Sequence, residues 1–150
     1  MICEIIMKIE EIQNLWEKDS CIDRTELGEE SLRIPQLHSK YYKIYSDERM
    51  VLRSLERSLS ILKHKKYEYF NGTISQEALN SEGWEPNQLK ILKSDIPLYI
   101  DSDADIQKLQ SRIDMQNEKV EFVESIIKSL PARGYQINAA ISWEKFKVGA

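Results

Sequence analysis

Two long stretches of the chain repeat apolar residues at intervals of three and four, and this spacing constrains the fold more than any other feature. The first stretch runs from Leu37 to Leu62 and the second from Ile106 to Leu130. Such spacing places the apolar side chains on one face of a helix. Five glycines and four prolines among 150 residues leave little sequence for loops. The sequence therefore predicts an all-α protein.

Helix-breaking residues predict where the helices begin and end. A short amphipathic helix covers about 8–18, and Asp23 with Glu26 resembles a capping box for the helix that follows, with Thr25 as a competing cap. Pro35 should kink or restart that helix, because proline lacks an amide proton and disfavours helix at the residue before it. Beyond it, the apolar pattern predicts a long helix over about 36–70. The N-terminal half is thus a long helix pair with a kink near Pro35.

Residues 73–100 lose the helical pattern and contain Gly83, Pro86 and Pro97, so we expect an irregular connector with a strand-like piece at "IPLYI". The next helix begins at "DSDAD", where Ser102 or Asp103 can cap it, and Pro131 should end it. Gly134 then acts as the helix stop. These boundaries predict two parts, an N-terminal helical part with its connector over 1–100 and a C-terminal helical part over 101–150.

The C-terminal part is too apolar to stand alone in water. Its heptad-spaced stripe continues into the tail "YQINAAISWEKFKVG", whose large apolar side chains must dock on their own chain or on a neighbour. We expect the segment from about 104 onward to build a homo-oligomer. The candidate oligomerisation residues are Ile127, Leu130, Ile137, Ile141, Trp143 and Phe146.

One segment is basic although the whole chain has a net charge of −4. Residues 49–66 contain six cations and one anion, a net charge of +5, and three aromatic residues follow. Cations beside aromatic rings suit phosphate contact with base stacking, but a solvated charge run with a structural helix end fits the pattern equally well. The candidate nucleic-acid contacts are Arg49, Arg53, Arg57, Lys63, His64, Lys65, Lys66, Tyr69 and Phe70.

The sequence offers no motif for catalysis, so we expect no enzyme and no cofactor. His38 and His64 lack a neighbouring nucleophile, and no phosphate-binding glycine loop is present. The acids of "DSDAD" lack the glycine and glutamate of a calcium loop, so helix capping is the favoured role and we expect no metal. Two cysteines without a metal-ligand spacing favour a reducing compartment, and no apolar run is long enough to cross a membrane.

Three stretches of the chain stand out as motifs. They are "MKIEEIQNLWEKDSCID" at 7–23, "KKYEYFNG" at 65–72 and "IIKSLPARGYQINAAISWEKFKVG" at 126–149. In this order and spacing they resemble the opening, the DNA-contacting tract and the ending of the UvsY family of recombination mediators from T-even-type phages. The family opening matches from Met7, so residues 1–6 are expected to be dispensable.

The resemblance implies a protein that binds single-stranded DNA and loads a RecA-like recombinase onto strand coated by the phage single-strand-binding protein. It gives the phosphate role to Lys63, Lys65 and Lys66 as a group, with Tyr69 as the best-matched aromatic residue. It also implies a ring-like hexamer or heptamer, no membrane partner, and a place in the cytoplasm of an infected bacterium. The alternative function is a homo-oligomeric coiled-coil scaffold or adaptor without nucleic-acid binding, and a small enzyme is a third.

Overall fold

The computed structural model describes residues 7–149, and helices account for most of this range. Between residues 7 and 149 there are five helices and no strand, which confirms the predicted all-α class. The helices are α1 (Ile9–Ser20), α2 (Leu27–Asn71), α3 (Gln76–Glu82), α4 (Ile96–Asp101) and α5 (Ala104–Lys147). Residues 1–6, for which the sequence predicts a dispensable role, lie outside the described part. No helix within 7–149 is both long and apolar enough to cross a bilayer.

The chain divides into two compact units. Unit 1 takes its described residues from the chain up to Met50 and from Asn117 onward, and unit 2 is Val51–Gln116. This division differs from the expected boundary near residue 100. It arises because the long helices α2 and α5 each contribute one half to unit 1 and the other half to unit 2.

The core of unit 1 is built from the apolar faces of α1, α2 and α5. Its buried residues are Ile12, Leu37, Tyr41, Val123, Ile126 and Leu130. The Trp16 ring meets the Tyr41 ring edge to face, with the ring centroids 5.3 Å apart. This contact helps to hold α1 against α2, because an edge-to-face aromatic pair adds stabilisation to that of the apolar area it buries.

Buried charges in unit 1 are paired. The Arg133 guanidinium donates to a Glu30 carboxylate oxygen at 2.7 Å and to the backbone carbonyl of Ser20 at 3.0 Å. Lys119 lies 3.2 Å from the Glu48 carboxylate. Removing one partner of such a pair leaves an uncompensated charge in a dry environment, so these contacts hold the helices in one register.

Unit 2 has its own small core, and it contains the helices α3 and α4 where the sequence predicts an irregular connector. Ile96, Ile100 and Ile106 are buried, with Leu59, Leu62, Phe70 and Ile91 packed against them. The strand prediction for "IPLYI" is wrong, because these residues form α4. Pro97 lies in the first turn of α4, where proline is tolerated, and Ile96 and Ile100 bury the same helical face.

Neither long helix stops at its internal proline. Helix α2 is continuous through Pro35, and α5 continues through Pro131 and Gly134 to Lys147, so the predicted C-terminal helix end is wrong. An internal proline removes one backbone hydrogen bond and costs about 3 kcal/mol. Burial of Leu130 and Ile137 on either side of Pro131 offsets this cost, since each large apolar side chain contributes roughly 1.5–3 kcal/mol.

A short polar side chain caps the start of α5. The Asp103 carboxylate accepts hydrogen bonds from the backbone amides of Asp105 at 3.0 Å and Ile106 at 3.2 Å, which confirms the predicted cap of α5. Before α2, the Asp23 carboxylate accepts from the Thr25 amide at 2.8 Å and also from its hydroxyl. Asp23 therefore makes a local turn with Thr25 ahead of the helix.

Candidate nucleic-acid interface

The outer face of α2 carries the cations that are free to meet an anion. Arg49, Arg53 and Arg57 are exposed and recur every four residues, which aligns them along one side of the helix. Lys63 is exposed further along the same helix. Within the described part of the chain, Arg53, Arg57 and Lys63 have no ion-pair partner. These three side chains can therefore bind phosphate without first breaking a contact.

Lys66 has a structural role instead. Its side chain is only 6% exposed, and its ammonium lies 2.9 Å from a carboxylate oxygen of Asp103 and 2.9 Å from one of Asp105. The ammonium also lies 4.1 Å from the centre of the Trp84 ring. Lys66, which the resemblance places among the phosphate contacts, is therefore not exposed to solvent, because the two acids at the start of α5 hold it inside unit 2.

The electrostatic surroundings of Lys66 keep it charged. Burial alone would lower the pKa of its ammonium, but the hydrogen bonds to Asp105 and Asp103 and their negative charges outweigh burial and raise the pKa above its ordinary value. A permanently charged Lys66 ties the end of α2 to the start of α5 within unit 2. Asp103, which caps α5, and Asp105 thus neutralise part of the basic tract.

Lys65 and His64 are also engaged. Lys65 is half-buried and forms an ion pair with Glu82 at the end of α3. His64 is exposed and lies 3.2 Å from the Glu68 carboxylate one turn later. Both side chains lie near the surface, where ion pairs contribute little and exchange readily, so phosphate can compete for them.

The aromatic candidates pack inside unit 2. The Tyr69 hydroxyl donates to the Glu85 carbonyl at 2.8 Å, and its ring meets the Trp84 ring with centroids 5.4 Å apart. Phe70 packs against the core of unit 2 and lies 5.7 Å from the Tyr99 ring. Tyr69 and Phe70 therefore support the connector, which was the structural alternative for this tract.

The predicted oligomerisation residues divide into buried and exposed ones. Leu130 and Ile137 are buried within unit 1, and Ile127 and Ile141 are half-buried. Trp143 is 58% exposed and Phe146 is 72% exposed, and their rings stack 5.6 Å apart at 22°. Leu130 and Ile137 therefore belong to the core of their own chain, and of the six residues only Trp143 and Phe146 are mostly exposed.

Sequence reasoning missed the acidic partners that pair with Lys65 and Lys66 and leave Lys63 free. Lys66 and Asp105 are 39 residues apart, and Lys65 and Glu82 are 17 apart. No periodic pattern links residues at such distances. The acids of "DSDAD" predicted a helix cap, which Asp103 forms, but not the ion pairs that Asp103 and Asp105 make with Lys66. Among residues 7–149, no group of histidine, cysteine and acidic side chains is arranged to hold a metal ion.

Comparisons with known proteins give consistent results. A family model described as "Recombination, repair and ssDNA binding protein UvsY" matches residues 15–150. The recombination protein uvsY of Enterobacteria phage T4 is 20% identical over 143 residues, covering 95% of this chain and 99% of the relative.

Solved structures show the same fold. One crystal structure of the recombination mediator protein UvsY of bacteriophage T4 matches with a TM-score of 0.81 at 21% identity, covering 95% of this chain and 99% of that chain. A second crystal structure of the same phage protein also gives a TM-score of 0.81, at 18% identity and 93% coverage of this chain.

Proposed function

The chain belongs to the UvsY family of recombination, repair and single-stranded-DNA-binding proteins, and on this premise we propose that it is a phage recombination mediator. It binds single-stranded DNA and promotes loading of a RecA-like recombinase onto strand coated with single-strand-binding protein. The observation that carries the proposal is the family match over residues 15–150. A scaffold without nucleic-acid binding is not favoured, because the matched family is described by its DNA binding.

The proposed DNA contacts are the exposed cations of α2. Arg53, Arg57 and Lys63 have no ion-pair partner among residues 7–149 and are free to neutralise phosphates. His64 and Lys65 contribute after exchanging their present contacts, and Arg49 contributes while it remains against Tyr45. This arrangement supports binding through the backbone, which is largely independent of base sequence. Lys66, Tyr69 and Phe70 pack inside unit 2 and hold the end of α2 in place, and we do not place them among the direct DNA contacts.

Oligomerisation explains how an acidic chain holds an anionic strand. Each subunit offers only a few free cations, and several subunits on one strand multiply their weak contacts through a high effective concentration. We propose that the exposed Trp143 and Phe146 at the end of α5 join subunits into a ring of six or seven. The nucleoside triphosphate of the loading reaction belongs to the recombinase, and the mediator acts by exchanging partners on the strand in the cytoplasm of the infected cell.

Fluorescence anisotropy of a labelled oligo-dT strand tests DNA binding. The full chain should bind at low salt, and the affinity should fall linearly on a log–log plot against salt concentration, with a slope of about 0.7 for each phosphate contacted. The triple variant Arg53→Ala, Arg57→Ala, Lys63→Ala should flatten the slope by roughly two units per subunit engaged. Absence of any strand binding by the wild-type chain at low salt would refute the proposed function.

A further inference from the structure

A line of side chains on α2 within unit 1 forms a stack that ends at Arg49, the first cation of the basic segment 49–66. The His38 ring stacks on the Tyr42 ring with centroids 5.8 Å apart and planes 13° apart. Tyr42 and Tyr45 follow with centroids 6.0 Å apart. The Arg49 guanidinium then lies 5.4 Å from the Tyr45 ring centre and donates to the Tyr45 hydroxyl at 3.4 Å. We name His38, Tyr42, Tyr45 and Arg49 the aromatic ladder.

One residue of the aromatic ladder packs against the protein core, and the other three are exposed to solvent. Tyr45 packs against the core of unit 1, whereas Tyr42 is 54% exposed and His38 and Arg49 are exposed. Each ring contacts its neighbour about one turn away, which limits the orientations of the rings, and Tyr42 and His38 still expose much of their surface. A rigid exposed aromatic surface contributes little to the core, and it binds a flat partner with little loss of side-chain entropy.

The charges around the aromatic ladder favour an anionic partner. The carboxylates on neighbouring turns are occupied, since Asp47 pairs with Lys43 and Glu48 is buried with Lys119. Within residues 7–149, Arg49 has no ion-pair partner, and its guanidinium contacts Tyr45. An unpaired guanidinium at the end of a row of exposed rings combines a phosphate contact with stacking platforms.

We propose that the aromatic ladder is a base-stacking surface for single-stranded DNA. Unpaired bases stack on Tyr42 and His38, Tyr45 positions the guanidinium, and Arg49 contacts the adjacent phosphate. This proposal rests on the proposed function for its ligand and adds to it a second contact element, separate from Lys63 and made largely by aromatic rings. Duplex DNA cannot use this surface, because its bases are already stacked on one another.

Substitutions separate stacking from charge. Tyr42→Ala should weaken oligo-dT binding about five- to 150-fold with little change in the salt slope, since one stacked base contributes about 1–3 kcal/mol. Tyr42→Trp should retain binding because a larger ring still stacks. Arg49→Ala should lower the slope by about 0.7. The matched controls on α2 are Leu32→Ala for an exposed apolar side chain and Lys43→Ala for an exposed cation, and both should bind as wild type.

Photochemical cross-linking gives an independent readout. Oligo-dT containing 5-iodouracil, irradiated with the full chain and digested, should give adducts at His38, Tyr42 or Tyr45. If the wild-type chain binds DNA, either of two results would overturn the proposal: Tyr42→Ala binds as tightly as Leu32→Ala, or all adducts form at residues outside the aromatic ladder. A change in the mass of the assembly on Tyr42→Ala would also overturn it, because the aromatic ladder would then be a contact with a second copy of the chain. If the wild-type chain itself fails to bind, the proposed function fails and the ladder has no ligand.

Discussion

Lys63 and Lys66 lie three residues apart on α2, and their surroundings differ. Lys63 is exposed and has no ion-pair partner among residues 7–149. Lys66 is buried between two carboxylates and the Trp84 ring. A lysine held by two acids cannot approach a phosphate without leaving those acids uncompensated. Substitution of Lys63 should therefore affect DNA binding, whereas substitution of Lys66 should affect the stability of the fold.

Lys63→Ala and Lys66→Ala form a direct comparison. Lys63→Ala should lower the salt slope of strand binding by about 0.7 and change the free energy of unfolding by less than about 0.5 kcal/mol. Lys66→Ala should lower the free energy of unfolding by about 2 kcal/mol, since it leaves Asp103 and Asp105 unpaired. Anisotropy and urea denaturation measure the two effects. Equal unfolding midpoints for Lys66→Ala and wild type would contradict the structural role.

Asp19 gives unit 1 a dependence on acid. Its burial tends to raise the carboxyl pKa, but hydrogen bonds from Lys40 and Tyr41 and the charges of Lys40 and Arg33 together lower it below its ordinary value. A carboxyl whose pKa is lowered by folding contributes stability above its unfolded pKa, and that contribution is lost as pH falls through the folded value. The bonded Tyr41 has its own pKa raised by burial and by Asp19.

Asp19→Asn tests this dependence. Near neutral pH the variant should be less stable than wild type by about 1–3 kcal/mol, because hydrogen bonds to a charged group are lost. The difference should shrink below about pH 4 as Asp19 protonates in the wild type. Urea denaturation at several pH values measures it, with Asp47→Asn in an exposed pair as the control. A difference that stays constant from neutral to acid pH would show that Asp19 does not titrate this way.

At the scale of elements, the apolar spacing was sufficient to predict two long helices and an all-α fold. It failed where packing outweighs local preference. Pro131 and Gly134 are strong helix breakers in isolation, yet burial of Leu130 and Ile137 in unit 1 carries α5 past them. The helix α4 was missed because its burial comes from contacts with Leu59, Leu62 and Phe70, which are distant in sequence. The acidic partners of Lys65 and Lys66 are also distant in sequence. The sequence therefore predicted the basic tract but not the ion pairs that neutralise part of it.

The glycine inside α5 provides a test of this continuity. A Cβ added at Gly134 would meet the Ile34 side chain at 3.8 Å, an ordinary contact, so Gly134→Ala should stabilise the protein by about 0.5–1 kcal/mol. Gly83 ends α3 with φ at 68°, so Gly83→Ala should destabilise it by roughly 1 kcal/mol. Thermal unfolding midpoints compare the two. A loss of stability for Gly134→Ala would mean that α5 does not continue as a regular helix there.

At the scale of the whole molecule, assembly is proposed to depend on the end of α5. Truncation at Gly134 would remove the buried Ile137 and disturb the core, so point substitutions are the sharper test. The double variant Trp143→Ala, Phe146→Ala should give smaller species in sedimentation velocity and weaker strand binding, with unit 1 still folded by circular dichroism. Leu98→Ala, at another exposed apolar residue, should sediment as wild type. An unchanged mass for the double variant would exclude this surface as the subunit contact.

The central claim, that the chain is a recombination mediator, is tested most directly by recombinase loading. A RecA-like phage recombinase is added to single-stranded DNA precoated with the phage single-strand-binding protein, and strand-dependent nucleotide hydrolysis is followed with time. The full chain should shorten the lag before hydrolysis, and the Arg53→Ala, Arg57→Ala, Lys63→Ala variant should restore most of that lag. A lag unaffected by the full chain, at concentrations where it binds the strand, would contradict the mediator function.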